Sequence, residues 1–519
     1  MRAIKVCLFF FAFSLTLNAQ AVGQWKIYSD MKNVRSTSTT QSEVWAISGG
    51  GAFKFNPSDS SYTTITKAEG LNSQDLVSIG IDQENKIWLG SQEGYINILD
   101  SRDNSINKII DIFNTDKTQK GINNIFIKGD TVFASLDFGL SLINVKTLSF
   151  TDSFFKFGSF PSELKVISAF KSDLIFVSTE DGVAIQKAGT KNLSVPEAWD
   201  TYPFGTSIQA QSASRFLEFN GRILLATSNG VYSYVNKSWQ AFTLQGVFIK
   251  DMFAGGNSLY LVSNTQLFQY SNGQAALLYE NKNVIFNSVT ASSNQTIYIA
   301  SSGGMIEFKN NKTRTLFPNG PLSNSFVNLS VSPIGSLWVA TGKNLKGKGF
   351  FEYNGEDWKI YNRAAYPQLP SDDYINVYAA ADSAIYLSNW GGGVTIFKNN
   401  KLQIYTSKNS ELVGIPNDPN FLAIADIKTD SKGNIWIANS QTASRKPLSV
   451  LTKQNNWFHF SFNNPPLSEF DNLDKLAIDQ FDTKWFTVNK GKLGLYYFNE
   501  NKTLEKLDDD TQGFMDESD

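Results

Sequence analysis

The chain has 519 residues, a formal net charge of −2, 13% aromatic residues, 37 glycines and only 14 prolines. This length exceeds what one hydrophobic core usually serves, so two domains or a repeat architecture is expected. Abundant aromatic residues and glycines favour short strands joined by tight turns. The near-neutral charge argues against binding to a nucleic-acid backbone.

A secretory signal peptide is predicted over residues 1–21. Basic residues precede an almost unbroken apolar stretch from Val6 to Leu17, and small residues follow it. The stretch is too short to span a bilayer, and no later stretch approaches the required length. The single cysteine, Cys7, lies within it. The exported protein would therefore have no thiol, disulfide or thiolate metal site.

A pair of short strands recurs along the chain. In one copy, residues 86–91 alternate around Trp88, a glycine-containing turn follows, and residues 94–98 resume the alternation. Copies recur about every 44 residues, which is the length of one four-stranded propeller blade. The large apolar markers of the copies are Trp45, Trp88, Phe133, Phe176, Leu224, Tyr260, Tyr298, Trp338, Tyr386, Trp436 and Trp485.

These repeats predict an all-β fold with two β-propellers of four-stranded blades. One propeller usually has four to eight blades, so the expected division is a seven-bladed propeller over residues 22–315 and a second over residues 316–519. The second is expected to be incomplete in the chain as written, with about four blades. Residues 25–28 repeat residues 358–361 letter for letter. They are predicted to form a lone outer strand that closes the first ring.

Several motifs resemble known propeller families. The Asp-x-x-Gly-x-Ile-Trp tip that begins at Asp430, and the element from Asn354 to Tyr361, resemble the periplasmic propeller repeats of two-component regulator sensors. Residues 23–28 and 44–51 are similar to the PorZ family of two-propeller surface proteins of the type IX secretion system in Bacteroidetes.

The PorZ resemblance implies two seven-bladed propellers followed by a sandwich domain, and a place beside a sortase in the outer-membrane attachment complex. It also implies handling of anionic lipopolysaccharide. The expected function is thus a non-catalytic scaffold in the periplasm or at the cell surface, associated with the outer membrane. Two alternatives are a ligand-sensing propeller of a hybrid two-component regulator and a propeller carbohydrate hydrolase. The hydrolase would need two carboxylates in the central channel.

Candidates for catalysis or metal binding are few. The only histidine, His459, falls in an alternating strand and is expected to be satisfied by a neighbour within its blade. The Asp-x-x-Gly tips lack the Asp-x-Asp-x-Asp spacing of a calcium loop and are interpreted as turns. The sequence therefore predicts no catalytic residue, no cofactor and no metal ligand.

The candidate ligand site lies in loops between the second and third strands of three successive blades. Two of these loops carry basic residues and no acid, and the loop between them has a tryptophan before three glycines. Cationic side chains pair with phosphate or carboxylate, and an indole stacks on a sugar face, so the combination suits an anionic glycan. Alternatively, these are solvated loops and the tryptophan packs against its blade. The predicted rim residues are Lys343, Lys346, Lys348, Trp390, Arg445 and Lys446.

Overall fold

The computed structural model describes residues 25–463 and 465–515, and the predicted all-β propeller fold is confirmed. The signal peptide and Cys7 lie outside the described residues. Apart from one short 3-10 helix at Pro196–Ala198, regular structure in the described ranges consists of β-strands. No helix in these ranges has both the length and the apolar character required to cross a membrane.

The described strands form successive four-stranded antiparallel blades whose strands are consecutive in sequence. Blades 1 to 4 comprise β1 (Val34–Thr39), β2 (Val44–Ser48), β3 (Gly51–Asn56), β4 (Ser61–Ile65), β5 (Leu76–Ile81), β6 (Ile87–Ser91), β7 (Ile96–Asp100), β8 (Ser105–Ile109), β9 (Ile122–Lys128), β10 (Thr131–Leu136), β11 (Gly139–Asn144), β12 (Phe150–Phe154), β13 (Val166–Lys171), β14 (Ile175–Thr179), β15 (Gly182–Gln186) and β16 (Trp199–Pro203). Blades 5 to 7 comprise β17 (Ala213–Phe219), β18 (Arg222–Thr227), β19 (Gly230–Val235), β20 (Ser238–Thr243), β21 (Asp251–Gly255), β22 (Ser258–Val262), β23 (Gln266–Ser271), β24 (Gln274–Glu280), β25 (Phe286–Ala291), β26 (Ile297–Ser301), β27 (Gly304–Lys309) and β28 (Lys312–Leu316). Blades 8 to 11 comprise β29 (Asn328–Val331), β30 (Leu337–Ala340), β31 (Phe350–Tyr353), β32 (Trp358–Tyr361), β33 (Tyr374–Ala379), β34 (Ile385–Gly391), β35 (Gly393–Lys398), β36 (Lys401–Tyr405), β37 (Leu422–Thr429), β38 (Ile435–Ser440), β39 (Leu448–Leu451), β40 (Trp457–Phe460), β41 (Asn472–Ile478), β42 (Lys484–Lys490), β43 (Gly494–Asn499) and β44 (Thr511–Met515). Every marker residue of the sequence repeat lies on the second strand of its blade.

Burial differs along each blade in the way a propeller requires. The second strand β6 is buried at all positions because both of its faces pack against neighbouring blades. The outer strand β8 is exposed or half-buried except at its last residue. The markers are large and apolar because they fill the space between blades.

An aspartate and a tryptophan six residues apart connect the tip of a blade to its core. Asp82 Oδ2 accepts a hydrogen bond from Trp88 Nε1 (3.0 Å), and its Oδ1 accepts the Lys86 N–H (2.9 Å). Asp430 and Trp436 form the same side-chain bond (3.0 Å). The Asp-x-x-Gly-x-Ile-Trp motif at Asp430, and its variant at Asp82 with Asn85 in place of the glycine, are thus turns whose aspartate also satisfies a buried indole.

Most first strands contain a β-bulge near their beginning, and the bulged residue connects one blade to the next. Such a bulge occurs between Val34 and Ser36, and another between Phe286 and Ser288. Arg35 Nη1 donates to Leu76 O (2.9 Å), Asn123 Nδ2 to Val166 O (2.9 Å), Ser214 Oγ to Ile249 O (2.7 Å) and Asn287 Nδ2 to Val34 O (2.7 Å). A bulge re-aims its side chain, here toward the neighbouring backbone.

Blade 7 joins blade 1 directly and closes a ring of seven blades. Strand β1 lies beside β25, and Thr37 N donates to Ser288 Oγ (3.0 Å) across the contact. Phe53 and Tyr298 belong to one buried cluster that spans the two blades. The predicted closing strand at residues 25–28 is wrong. These residues form no strand, because β28 already supplies the outer strand of blade 7.

The segment before β1 instead contacts blade 8. Tyr28 Oη donates to Tyr353 Oη (2.7 Å), and the Tyr28 ring packs edge-on against Trp358 (centroids 5.6 Å apart). Ser29 Oγ donates to Gly50 O in blade 1 (2.6 Å). The segment therefore bonds to the ring and to the blade that follows it in the chain.

Blades 8 to 11 continue beyond the ring in chain order. Asn328 Oδ1 of blade 8 accepts the Val377 N–H of blade 9 (3.2 Å). Between blades 10 and 11, the ammonium of Lys484 is buried over the Trp436 ring and pairs with Glu500. Strand β28 ends at Leu316, and the division of the chain at residues 315 and 316 stays a prediction.

Candidate binding site

The candidate site surrounds Trp390, where blades 9 and 10 share a backbone connection. Strand β34 continues past its own blade, and Trp390 and Gly391 pair with Ala423 and Leu422 of β37. This pairing merges the two blades into one eight-stranded sheet. The Trp390 N–H also donates to Asp373 O (2.8 Å). The backbone of Trp390 is thus held on both sides.

The indole of Trp390 is held by residues from both neighbouring blades. Its Nε1 donates to Asn344 Oδ1 (3.1 Å), and Lys343 Nζ lies 5.0 Å from the ring centroid. On the other side, the Phe421 ring packs edge-on with centroids 5.7 Å apart. A cation close to an indole face is attracted by the ring quadrupole. The indole remains half-buried, so part of it is available to a ligand.

The loop that carries Lys343, residues 341–349, is ordered by one buried carboxylate. Asp373 is 6% exposed, and its oxygens accept the Leu345 and Gly347 N–H groups (2.8 Å each). Asn344 and Leu345 both have positive φ (57° and 63°), and these two bonds offset the cost of that conformation. The loop is therefore built to present its side chains in one arrangement.

Two cavities adjoin the Trp390 indole. The outer one, of about 500 Å³, lies between the loops of blades 8, 9 and 10 and is walled by Trp390, Phe421 and Pro370, with Lys408 and Asn420 at its side. The inner one, of about 250 Å³, lies toward the axis around which blades 8 to 11 are arranged. Its walls include Lys343, Trp390, Ser440, Asn472, Asp474, Lys475 and Asn489.

The inner cavity combines positive charge with carboxamides. Lys343 and Lys475 both line it, and in the described part of the chain no carboxylate lies within ion-pair distance of either ammonium. Asp474 supplies the one carboxylate among its lining residues. Two ammonium groups, an indole edge and amide donors suit a ligand with an anionic group and several hydroxyls.

The six predicted rim residues do not all meet. Lys343 and Trp390 are in contact, whereas the Arg445 guanidinium holds Glu469 with two bonds (Nε–Oε2 2.7 Å, Nη2–Oε1 2.9 Å). Glu469 raises the pKa of Arg445. It lies in the connection between β40 and β41, so the absence of acid within the 439–447 loop did not reveal the pair. The positive charge of Lys348 acts on the Asp30 carboxyl.

The two remaining rim residues lie apart from the indole. Lys346 is exposed on its loop, and Lys446 is exposed near His459, where its charge contributes to lowering the pKa of the imidazole. The structure therefore brings together Lys343 and Trp390, and the six-residue rim stays a prediction.

Sequence reasoning missed Phe421, Asn344 and Lys475. Lys475 lies on the first strand of blade 11 where pairing with β42 is irregular, so strand alternation does not indicate its direction. Asn344 could have been suspected, because asparagine tolerates the left-handed conformation that a tight loop requires.

His459 and the aspartate tips have structural partners. His459 Nδ1 shares a hydrogen bond with Ser449 Oγ on the neighbouring strand (2.9 Å), and burial lowers the pKa of the imidazole. Among the described residues, no group of three or more histidine, cysteine, aspartate or glutamate side chains could hold a metal ion.

Comparison with known proteins supports the predicted resemblance. Residues 44–200 match the family model described as the PorZ N-terminal β-propeller domain of the type IX secretion system. No curated protein matches the sequence. PorZ of Porphyromonas gingivalis, described as an essential bacterial surface component of that system, has a TM-score of 0.80 at 20% identity, over 95% of this chain and 68% of PorZ.

A second solved structure has a lower TM-score. The extracellular domain of BT4673 from B. thetaiotaomicron, described as a hybrid two component system, has a TM-score of 0.42 at 14% identity, over 94% of this chain and 72% of that one. This value is too low to carry an argument. The family match at residues 44–200 and the shared propeller fold confirm the resemblance to PorZ that the motifs predicted.

Proposed function

We propose that the chain is a non-catalytic scaffold of the type IX secretion attachment complex at the outer membrane. On this proposal, its Trp390 site recognises anionic lipopolysaccharide for delivery to a sortase. The match of residues 44–200 to the PorZ propeller domain supports the place in secretion. PorZ itself is described as a surface component of that system.

The proposed ligand rests on one observation: Lys343 Nζ contacts the Trp390 ring beside a cavity that Lys475 also lines. A sugar ring can lie against the exposed part of the indole, while a phosphate or carboxylate takes the ammonium groups. Asn472 and Asn489 can bond to hydroxyls. The site is partly enclosed, and its charges are therefore screened by salt less than those on an open surface.

The same geometry favours binding over chemistry. General acid–base catalysis needs ionisable groups free to exchange protons with a substrate. Both oxygens of Asp373, at the outer cavity, already accept backbone N–H groups. The inner cavity has one carboxylate among its lining residues, Asp474, whereas hydrolysis of a glycoside requires two carboxylates.

Binding to immobilised anionic lipopolysaccharide tests the ligand. Because each substitution removes one side chain that would contact the glycan, W390A and K343Q should each weaken binding about tenfold. K401Q, which removes an exposed lysine on the outer strand of blade 9, is the matched control and should bind like the unchanged protein. Equal affinity of W390A and the unchanged protein would exclude this site.

The partner requires a separate experiment. The full chain is immobilised and incubated with the sortase of the same secretion system, and we expect it to retain the sortase. If protein contact and glycan binding use different surfaces, W390A should retain the sortase as well. If the chain fails to retain the sortase under conditions where it still binds lipopolysaccharide, the proposed sortase contact is wrong and the proposed ligand stands.

A further inference from the structure

A second cavity, on blades 5 and 6 of the seven-bladed ring, has the chemistry of a saccharide site. It has a volume of about 470 Å³ and lies where the hairpin turns of the two blades meet. This size falls within the range of ordinary small-ligand sites. It is formed by residues that the Trp390 site does not use.

Aromatic rings form the wall of this cavity. Phe242 and Tyr270 pack with centroids 4.8 Å apart, and Phe219 meets Tyr270 edge-on at 6.3 Å. Phe219 is 6% exposed, whereas Phe242 and Tyr270 are half-buried and present part of their rings to the cavity. Such a wall suits the apolar face of a sugar ring.

Carboxamides surround the wall. Asn220, Asn257 and Asn272 occupy three different hairpin turns, and none of their side chains bonds to another described residue. In two other turns the carboxamide is occupied: Asn56 Oδ1 accepts the Ser58 N–H (3.0 Å), and Asn144 Oδ1 accepts the Lys146 N–H (3.0 Å). A carboxamide both donates and accepts, as a sugar hydroxyl does.

One guanidinium completes the cavity. Arg222 Cζ lies 6.0 Å from the Phe242 ring centroid, and within the described ranges no carboxylate pairs with it. By contrast, Arg445 holds Glu469 and Arg314 holds Glu307. A guanidinium stacked on an aromatic ring keeps its N–H groups available for a planar anion.

We infer that this cavity binds a saccharide that carries a carboxylate. The sugar ring lies on Phe242 and Tyr270, its hydroxyls bond to the asparagines, and its carboxylate takes two N–H groups of Arg222. Binding involves no covalent step. The inference does not depend on the function of the Trp390 site.

Tetragalacturonate is the probe, and its binding to the full chain is measured by saturation-transfer NMR and calorimetry. We expect saturable binding that weakens about tenfold or more in R222Q, because a charge-assisted contact is lost. The unchanged protein should bind methyl-esterified tetragalacturonate more weakly than tetragalacturonate, to a similar degree. K312Q, which removes an exposed lysine of blade 7, is the matched control and should bind normally.

Hydrogen exchange of the three hairpin turns should slow on binding, which places the probe on blades 5 and 6. Absence of saturable binding up to about 10 mM would overturn the inference, because that affinity is weaker than a built site gives. Unchanged affinity of R222Q, or equal binding of the esterified probe, would overturn it as well. So would Arg222-dependent binding of triglutamate in place of the saccharide, since the site would then recognise a peptide.

Discussion

The seven-bladed ring and blades 8 to 11 are made of the same repeat, yet the first strands at their beginnings differ in exposure. In β1, Val34 and Thr37 are buried against blade 7. In β29, the first strand of blade 8, Leu329 is 54% exposed and Val331 is 64% exposed. The two strands have the same place in their blades, and they differ because β1 has a neighbouring blade on each side.

Among the described residues, β1 packs against first strands of blades 2 and 7, whereas β29 packs against that of blade 9, and the burial of each strand follows from these contacts. The bond from Asn287 to Val34 that joins blade 7 to blade 1 is the same kind as the bond from Asn123 to Val166 inside the ring. The ring therefore closes by repeating an ordinary contact between blades, and it needs no strand exchanged between its ends.

The largest expected effect comes from emptying the closing contact. Phe53 is fully buried in the cluster shared by blades 1 and 7, so F53A should lower the free energy of unfolding by about 3–5 kcal/mol. L329A removes an exposed apolar side chain from β29 and should change it by less than about 0.5 kcal/mol. Urea unfolding followed by fluorescence measures both. Similar values for the two variants would contradict the burial difference between the strands.

A smaller effect is expected from the polar links. N287A leaves Val34 O without its side-chain donor at the closing contact and should cost about 1–2 kcal/mol in the free energy of unfolding. N123A removes the equivalent donor to Val166 O and should cost about the same. A much larger loss for N287A, measured in the same urea experiment, would mean that the closing contact contributes more to stability than a contact inside the ring.

The smallest effect is a local dependence on pH in blade 11. Burial, with the neighbouring Asp509 and Glu500 carboxylates, raises the pKa of Asp510 to about 6. Because the folded state favours the protonated form, this contribution to stability is present at pH values below about 3.8 and is lost as the pH rises through about 6. Hydrogen exchange in β43 and β44 should therefore quicken from pH 4 to pH 7, after correction for the intrinsic rate.

D510N supplies the control for that dependence. An asparagine stays neutral at every pH, so the corrected exchange of β43 and β44 should no longer change between pH 4 and pH 7. Persistence of the change in D510N would assign it to another group. The seven-bladed ring, which lies outside this acidic loop, should show no parallel change in either protein.

The fold was predictable because its signal is local. The marker residues recur at blade spacing, and each lies on a second strand, where large apolar side chains pack between blades. The closing strand was predicted wrongly from the identity of residues 25–28 and 358–361. Identical letters specify a strand only when an open sheet edge accepts them, and Tyr28 meets none in the ring.

The candidate site was only partly predictable. Trp390 and Lys343 were found because loop position and composition are visible in the sequence. Lys475 and Glu469 were not found, because their contacts depend on how one blade lies against the next. Whether Arg222 pairs with a carboxylate also depends on which residues lie near it in space, and spacing along the chain does not reveal this.

The bond between Tyr28 and Tyr353 has a consequence for the order of folding. Its partners are separated by 325 positions in the chain, so Tyr28 cannot make this contact until blade 8 has been synthesised. Contacts of this separation form late, since the loop between them must first be closed. The blades of the ring can thus fold one after another, and the contact between Tyr28 and blade 8 forms only after the ring is complete.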